Sequence, residues 1–238
     1  MIYIQKDTEF NIPNGYDAAA ALYGALDNAH DYKLVTYEDV LAGKYDNLIK
    51  RNPFVGSSEF MRAVFNRANL TQTPKVPRNS NRISTLTDLK TVKDIVTDGS
   101  KWFIKPVENK LFTGFVLDNT MVYSCIKDLP DNTPVLVYAP FTSTVVTEYR
   151  VYVHKGKMVD IRHYSGDFRL FPNFNILDLF LEENDDFPIA YTMDIGLLED
   201  GQCVVVEFND MWAIGNYGID NDLYFKLLKD RYFEIMSN

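Results

Sequence analysis

Two carboxylates and a carboxamide late in the chain are the residues best placed to do chemistry. They lie in the stretch Tyr191-Thr-Met-Asp194-Ile-Gly-Leu-Leu-Glu-Asp-Gly-Gln-Cys-Val-Val-Val-Glu207-Phe-Asn209. Two apolar runs flank Asp200-Gly201, a dipeptide favoured in two-residue hairpin loops because both positions need positive φ. With that loop Glu199 faces Gln202, and Asp194 falls opposite Glu207. Facing side chains have Cβ atoms roughly 4.5–5.5 Å apart. Asn209, two residues beyond Glu207, shares its face. Like charges so close repel, and a divalent cation would offset the repulsion. Oxygen-only ligands suit Mg²⁺. The alternative is an exposed hairpin whose acids are solvated. This register puts Val204, Val206 and Phe208 on the opposite face, and Cys203 and Val205 on the acidic one.

Two cationic strands accompany the hairpin. Trp102-Phe-Ile-Lys105-Pro is apolar until its lysine, and Lys110 and Gly114 follow. A lysine ending a buried strand loses hydration unless an anion such as phosphate meets it, or unless it reaches back to water. Neither a Walker loop nor a dinucleotide-binding glycine fingerprint is present. In Val145-Val-Thr-Glu148-Tyr-Arg150-Val-Tyr-Val-His154-Lys-Gly-Lys157-Met-Val-Asp-Ile-Arg162-His163, a turn at Lys155-Gly156 makes a second hairpin. Glu148, Arg150, Tyr152 and His154 share one of its faces, while Arg162 falls opposite Tyr149 on the other. Arg150, between bulky strand residues, needs a phosphate or a carboxylate, the latter in a structural Arg–Glu pair. His154 and His163 read as ordinary surface or hydrogen-bonded histidines.

The elements that carry these residues form an α+β chain. Residues 1–70 alternate short strands (Ile2–Ile4, Leu34-Val35, Asn47–Lys50) with two helices. One is Ala-rich and N-capped by Asp17; the other is capped by Ser57 or Ser58 and carries Phe60, Met61, Val64 and Phe65. This is a small α/β domain. Residues 71–83, with Lys75, Arg78 and Arg82, read as a solvated linker or as cations that meet an anionic ligand. A second domain spans 84–238, with lobes of about 84–140 and 141–238. It begins with a helix presenting Leu86, Leu89, Val92 and Val96. Strands are expected at 102–105, 112–117, 121–126, 135–138, 145–153, 158–163, 191–198 and 202–209, with tight turns at Asp118-Asn119, Lys155-Gly156 and Asp200-Gly201. Helices are expected at 175–181 and 223–236.

Composition narrows the class. The 238 residues are 46% apolar and 14% aromatic, which argues for a packed core and against disorder. Twenty-four basic against 33 acidic residues, a net charge of −9, argue against generic nucleic-acid binding. Cys125 and Cys203 are too few and too isolated for a disulfide framework or a metal cluster. No apolar run reaches a membrane span, and Lys6 and Asp7 come too early for a signal peptide. The expectation is a soluble, cytoplasmic protein (in the host cytoplasm if viral). Oligomeric state is not legible.

Taken in order, these pieces resemble the ATP-grasp superfamily. They comprise the lysine-ending strand Phe-Ile-Lys105-Pro, the loop Val107–Gly114, a hinge strand, the Glu148-Tyr-Arg150-Val strand, and Asp194 followed thirteen residues later by Glu207-Phe-Asn209. The resemblance covers about 84–220, with 1–70 as the preceding small domain, and is nearest to small bacterial and phage members. It implies an ATP-grasp-like fold of antiparallel-sheet lobes clamping a nucleotide. Lys105 and, beside it, Lys110 would contact ATP phosphates. The backbone of Val137, Tyr138 and Ala139 would read adenine, with Glu148 also in the nucleotide site. Arg150 would stabilise the transferring phosphate, and Asp194, Glu207 and Asn209 would hold Mg²⁺. The sequence departs from the family in its glycine-poor 107–114 loop and in Pro140 after the hinge.

The activity so implied is an ATP- and Mg²⁺-dependent carboxylate–amine (or carboxylate–thiol) ligase. It would work through an acyl phosphate and release ADP and phosphate. The acid and acceptor would be a small molecule, amino acid or peptide. The alternatives are a kinase on the same scaffold and a nucleotide-binding interaction protein without turnover. The loop 210–218, with Trp212, Gly215, Tyr217 and Gly218, reads either as an acceptor-pocket wall or as a packed surface turn.

Overall fold

The computed structural model describes residues 1–70, 86–98, 102–107, 111–112, 114–117, 126–138, 143–182 and 187–237. The chain opens with β1 (Ile2–Gln5), α1 (Gly15–Asp27), β2 (Tyr32–Val35), α2 (Tyr37–Leu41), α3 (Asp46–Ile49), β3 (Phe54–Val55) and α4 (Ser58–Arg67). Next come β4 (Leu86–Thr91), α5 (Val92–Asp98), β5 (Trp102–Pro106), β6 (Phe115–Leu117) and β7 (Pro134–Tyr138). The rest is β8 (Val145–His154), β9 (Lys157–Gly166), α6 (Phe174–Glu182), β10 (Ala190–Leu198), β11 (Cys203–Asp210) and α7 (Asn221–Ser237). The class is α+β, with the expected small α/β segment at its start. The proposed linker at 71–83, the Asp118-Asn119 turn and the strand over 121–125 lie outside the described residues.

Contacts gather the chain into two compact units. One contains the described parts of 1–79, 146–197 and 201–238; the other is built from 80–145 with 198–200. These units cross the chain-order division at 70 and 84, and α7 is the reason. Its Tyr224, Phe225, Leu227 and Leu228 pack with Ile2, Ile4 and the alanines of α1, while Tyr232 and Ile235 join Phe54, Phe60 and Phe65. The helices α1 and α7 approach so closely at Gly24 that a Cβ there would strike the backbone of Asn221. Burying each large aromatic contributes about 1.5–3 kcal/mol, which a helix with a polar face could not recover from solvent.

In the first unit a parallel sheet runs in the order β2-β1-β3. A mixed-burial sheet, β11-β10-β8-β9, carries the candidate chemistry. Every residue of β10 is buried. One face of that sheet packs Tyr149, Val151, Val153, Met193, Ile195, Cys203 and Val205 against Leu177 and Leu181 of α6. Ser57 caps α4 by accepting from the Phe60 amide. The second unit holds the sheet β4-β7-β5-β6, cored by Ile95, Ile104, Leu117, Val135 and Val137.

Three local readings need correction. Asn47–Lys50 is helical rather than extended, forming α3 after the Gly43 turn. Leu86–Thr91 is a strand on β7, and the helix begins only at Val92, where Asp94 accepts from the Thr91 amide and hydroxyl. Asp17 does not cap α1. That helix starts at Gly15 behind Asn14, which leaves the Asp17 carboxylate in the first turn for another partner.

Candidate active site

Two β-bulges and one turn decide what meets what. In the β8–β9 hairpin, Lys155 and Gly156 both adopt positive φ and His154 pairs with Lys157, the tight two-residue loop expected from the sequence. Val159 and Tyr164 are then skipped in the ladder, so Arg162 pairs with Arg150 and not with Tyr149. An inserted residue shifts everything beyond it to the other face. In the β10–β11 hairpin only Gly201 of the Asp200-Gly201 pair has positive φ, and Leu197 pairs with Cys203, one step from the two-residue register. Val206 is skipped, which restores the register, and Asp194 pairs with Glu207 and Thr192 with Asn209. The bulge also turns Cys203 and Val205 away from the acids into the apolar core, a correction to their expected place on the acidic face.

The result is a row of charges across four strands: Glu207 on β11, Asp194 on β10, Arg150 on β8 and Arg162 on β9. Arg150 grips Asp194 with both arms of its fork, Nε to Oδ1 at 2.8 Å and Nη2 to Oδ2 at 2.7 Å. Both are buried, at 5% and 2% exposure. Asn209 Nδ2 donates to Glu207 Oε1 at 3.2 Å and reaches Asp194 Oδ2 at 3.4 Å. Burial pushes the Asp194 carboxyl above the ordinary carboxylate range; Arg150 opposes this and Glu207 adds to it. Burial works against the Arg150 charge, and Asp194 overcomes it, so the guanidinium pKa rises.

Residues that the sequence did not single out complete the surroundings of Arg150. Its guanidinium lies 4.5 Å from the Tyr217 ring centroid and 6.0 Å from that of Tyr164, and the two rings stack. The Tyr164 hydroxyl donates to Glu148 Oε2 at 2.9 Å. Burial, with Asp194 and Glu148 nearby, keeps the Tyr164 phenol protonated far above its ordinary range. The 211–218 loop is tied down from several sides. Asp17 Oδ1 accepts from the Asn216 amide at 2.7 Å, and the Tyr152 hydroxyl donates to the carbonyls of Gly215 and Asn216. Trp212 packs edge-on against Phe65, while Tyr217 is turned onto Arg150. The loop is thus a packed turn at Trp212 and part of the Arg150 surroundings at Tyr217. The signal for Asp17 was an acid in a first helical turn, and it was spent on the wrong partner.

The donors fit Mg²⁺ by chemistry. Asp194, Glu207 and Asn209 converge as oxygen ligands, and rotating the Asn209 amide by half a turn brings Oδ1 to where Nδ2 now meets both carboxylates. The Thr192 hydroxyl, fully buried opposite Asn209, has no hydrogen-bond partner among the described residues, so the protein alone leaves this polar face incomplete. No group of three or more His, Cys, Asp or Glu able to hold a metal occurs among the described residues. A metal here would therefore rest on two carboxylates and an amide.

In the second unit Lys105 pairs with Leu136 on β7, its ammonium 5.8 Å from the Phe103 ring, and Gly114 passes against its side-chain stem. Val137 is in the core, and Val137 and Tyr138 pair with β4 on one side and β5 on the other. Lys110, Ala139, Lys75, Arg78 and Arg82 lie outside the described residues.

A family model for the ATP-grasp domain, the second family of its clade, matches residues 82–227, more than half of the chain. The chain belongs to the ATP-grasp superfamily. With the family goes the class of activity, ATP-dependent ligation. Among solved structures, this ATP-grasp chain is similar to the D-cycloserine synthetase DcsG at 12% identity, covering 99% of this chain and 97% of that one, with a TM-score of 0.54. The ATP-grasp ligase PsnB, complexed with minimal precursor, Mg and ADP, is 14% identical over 99% and 97% of the two chains, TM-score 0.49. The D-alanine–D-alanine ligase of Bacillus anthracis is 12% identical over 99% and 96%, TM-score 0.45. At such identities the likeness is one of fold. No curated protein matches the sequence. No helix among the described residues is long and apolar enough to cross a membrane.

Proposed function

We propose that this ATP-grasp chain is an ATP- and Mg²⁺-dependent carboxylate–amine (or carboxylate–thiol) ligase. The observation that carries the reading is Asp194 facing Glu207, with Asn209 beside them and Arg150 held against Asp194, on the buried face of one sheet. In the reaction a substrate carboxylate oxygen attacks the γ-phosphorus of ATP, the bond to the bridging oxygen breaks, and ADP leaves. The amine or thiol then attacks the acyl carbon. The carbon–oxygen bond breaks, phosphate departs with the electron pair, and the nucleophile loses its proton. Such chemistry needs positioning and charge neutralisation rather than a protein nucleophile.

Asp194, Glu207 and Asn209 would hold Mg²⁺, which supplies neutralisation of phosphate charge when bound. Arg150 is held in place by Asp194 and by the Tyr217 face, so little reorganisation is needed before it meets a developing anion. Its Nη1 is not used by Asp194 and remains to serve that anion. Lys105 and Lys110 are assigned to ATP phosphates, and Val137, Tyr138, Ala139 and Glu148 to the rest of the nucleotide, on the family pattern. The reading places the protein in the cytoplasm, where ATP is held.

Calorimetric titration of ATP with and without Mg²⁺ tests it, in wild type and Glu207→Gln, followed by a screen of acids and amines for released phosphate. Wild type should bind ATP more tightly with Mg²⁺, and the variant should lose that gain while staying folded. Phosphate left on the product rather than released would make the enzyme a kinase. No ATP binding at concentrations that reveal millimolar affinity would overturn the nucleotide reading altogether.

A further inference from the structure

The Val159 bulge brings a second arginine to the face that carries Arg150. Arg150 and Arg162 pair directly across β8 and β9. Like charges in facing positions are unfavourable unless each is met by an anion. Arg150 is fully met, since both arms of its fork lie on Asp194. Arg162 is met at one corner. Its Nη2 donates to Asp160 Oδ2 at 2.8 Å, whereas its Nε is buried and has no partner.

A guanidinium recognises a carboxylate best through two parallel N–H bonds. The Arg162 fork is therefore half used. Its side chain is 38% exposed, so a ligand can reach it, while Asp160 is more covered at 18%. Asp160 and Asp220 keep the guanidinium charged. The protein as a whole carries a net charge of −9, which repels an acidic substrate, so a locally placed cation matters for capture.

We propose that Arg162 is the anchor for a second carboxylate on the acid that this enzyme activates, so that the substrate class is a dicarboxylate or an acidic amino-acid unit. This rests on the ligase reading given above. The reacting carboxylate belongs at the Arg150 end of the charge row, by the metal ligands. The second reaches the neighbouring strand, with facing side chains roughly 5 Å apart at Cβ, a spacing that a two- or three-carbon link between carboxylates spans. Asp160 would yield Nη2, or share it, when the ligand completes the fork.

The probe is succinate, titrated calorimetrically with Mg²⁺ and ADP present, beside acetate and inorganic phosphate. Wild type should bind succinate saturably and more tightly than acetate. Arg162→Gln should weaken succinate by about tenfold or more, the loss expected for a charge-assisted bidentate contact. Arg162→Lys should retain part of the affinity, and Asp160→Asn should raise it by freeing Nη2. A merely structural Arg162–Asp160 pair would give no gain in Asp160→Asn, and that result would overturn the assignment. So would succinate binding that is indifferent to Arg162, or an Arg162-dependent preference for phosphate over succinate. Mg²⁺–ATP titrations on the same proteins separate the two readings. Intact Mg²⁺–ATP binding without succinate binding sinks the Arg162 assignment and spares the ligase. An unchanged Mg²⁺–ATP isotherm in Arg162→Gln also certifies that the variant is folded.

Discussion

Replacing Arg150 with methionine should both destabilise the protein and make its stability depend on Mg²⁺. The side chains of Arg150 and Asp194 are 6% and 3% exposed, so removing the cation strands a carboxylate out of water, facing Glu207. Breaking one side of a buried pair costs about 3–5 kcal/mol. With a urea m-value of about 3 kcal/mol/M the midpoint should fall by about 1–1.7 M. A cation bound by Asp194, Glu207 and Asn209 would supply the missing positive charge. At ten times its Kd it should restore about 1.4 kcal/mol. Wild type should gain less, because Arg150 already balances Asp194. The measurement is urea unfolding followed by fluorescence in a Trp102→Phe background, which leaves Trp212 to report on the unit that holds the pair. Arg150→Met combined with Asp194→Asn should recover most of the loss and show no Mg²⁺ effect. A single-variant cost below about 1 kcal/mol would refute the burial argument. An equal Mg²⁺ gain in wild type and Arg150→Met would refute the shared-carboxylate geometry.

Other consequences are quicker to check. Asp17→Ala removes the acceptor for the Asn216 amide and should loosen the loop that lays Tyr217 on Arg150; hydrogen exchange at 215–218 should rise, at a stability cost of about 1–3 kcal/mol. Burial pushes the Cys203 thiol up to about 11 from 9.0, so its thiolate fraction at pH 8 falls about a hundredfold; peptide-resolved alkylation should mark Cys203 only after denaturant is added. Tyr191 is pushed up to about 12 by burial, and Tyr152, Tyr164, Tyr224 and Tyr232 are raised as well. A folded-state pKa above the unfolded value gives stability that is complete below pH 10 and lost as pH rises through the folded value. Ultraviolet titration should therefore show a tyrosine fraction that ionises only as the fold fails, and early ionisation of every tyrosine would contradict this burial.

Much of the fold could be read from residue order because the strands are apolar and well punctuated, and the errors fall where short-range signals conflict. Leu86, Leu89, Val92 and Val96 repeat at helical spacing, yet the first two belong to a strand, because pairing with β7 outweighs propensity in so short a run. Asn47–Lys50 looks extended by its Leu-Ile pair, but the turn at Gly43 and the packing of Ile49 with Phe54 and Tyr232 wind it into a helix. The α7 helix was legible as a helix and illegible as a partner of α1, since nothing local says which distant surface a helix will cover.

The acidic hairpin is the instructive case, because its key pairing is right for an incomplete reason. Asp200-Gly201 suits a two-residue loop, yet Asp200 does not take positive φ and the ladder near the turn is displaced by one residue. That displacement alone would have carried Asp194 and Glu207 to opposite faces. Val206 cancels it as a bulge, so the pair survives while Cys203 and Val205 change sides. On β9 there is no such cancellation between Val159 and Arg162, and Arg162 moves onto the Arg150 face. Bulges have no sequence signature as plain as a glycine turn, because the inserted residue here is an ordinary valine in both strands. What they do is aim side chains. One bulge keeps the two carboxylates together beside Asn209, and the other sets a second guanidinium at the end of the same row. The order Glu207, Asp194, Arg150, Arg162 is thus a product of insertions in the ladder, and deleting Val159 should return Arg162 to the apolar face and abolish its anion site while leaving the Arg150–Asp194 pair in place.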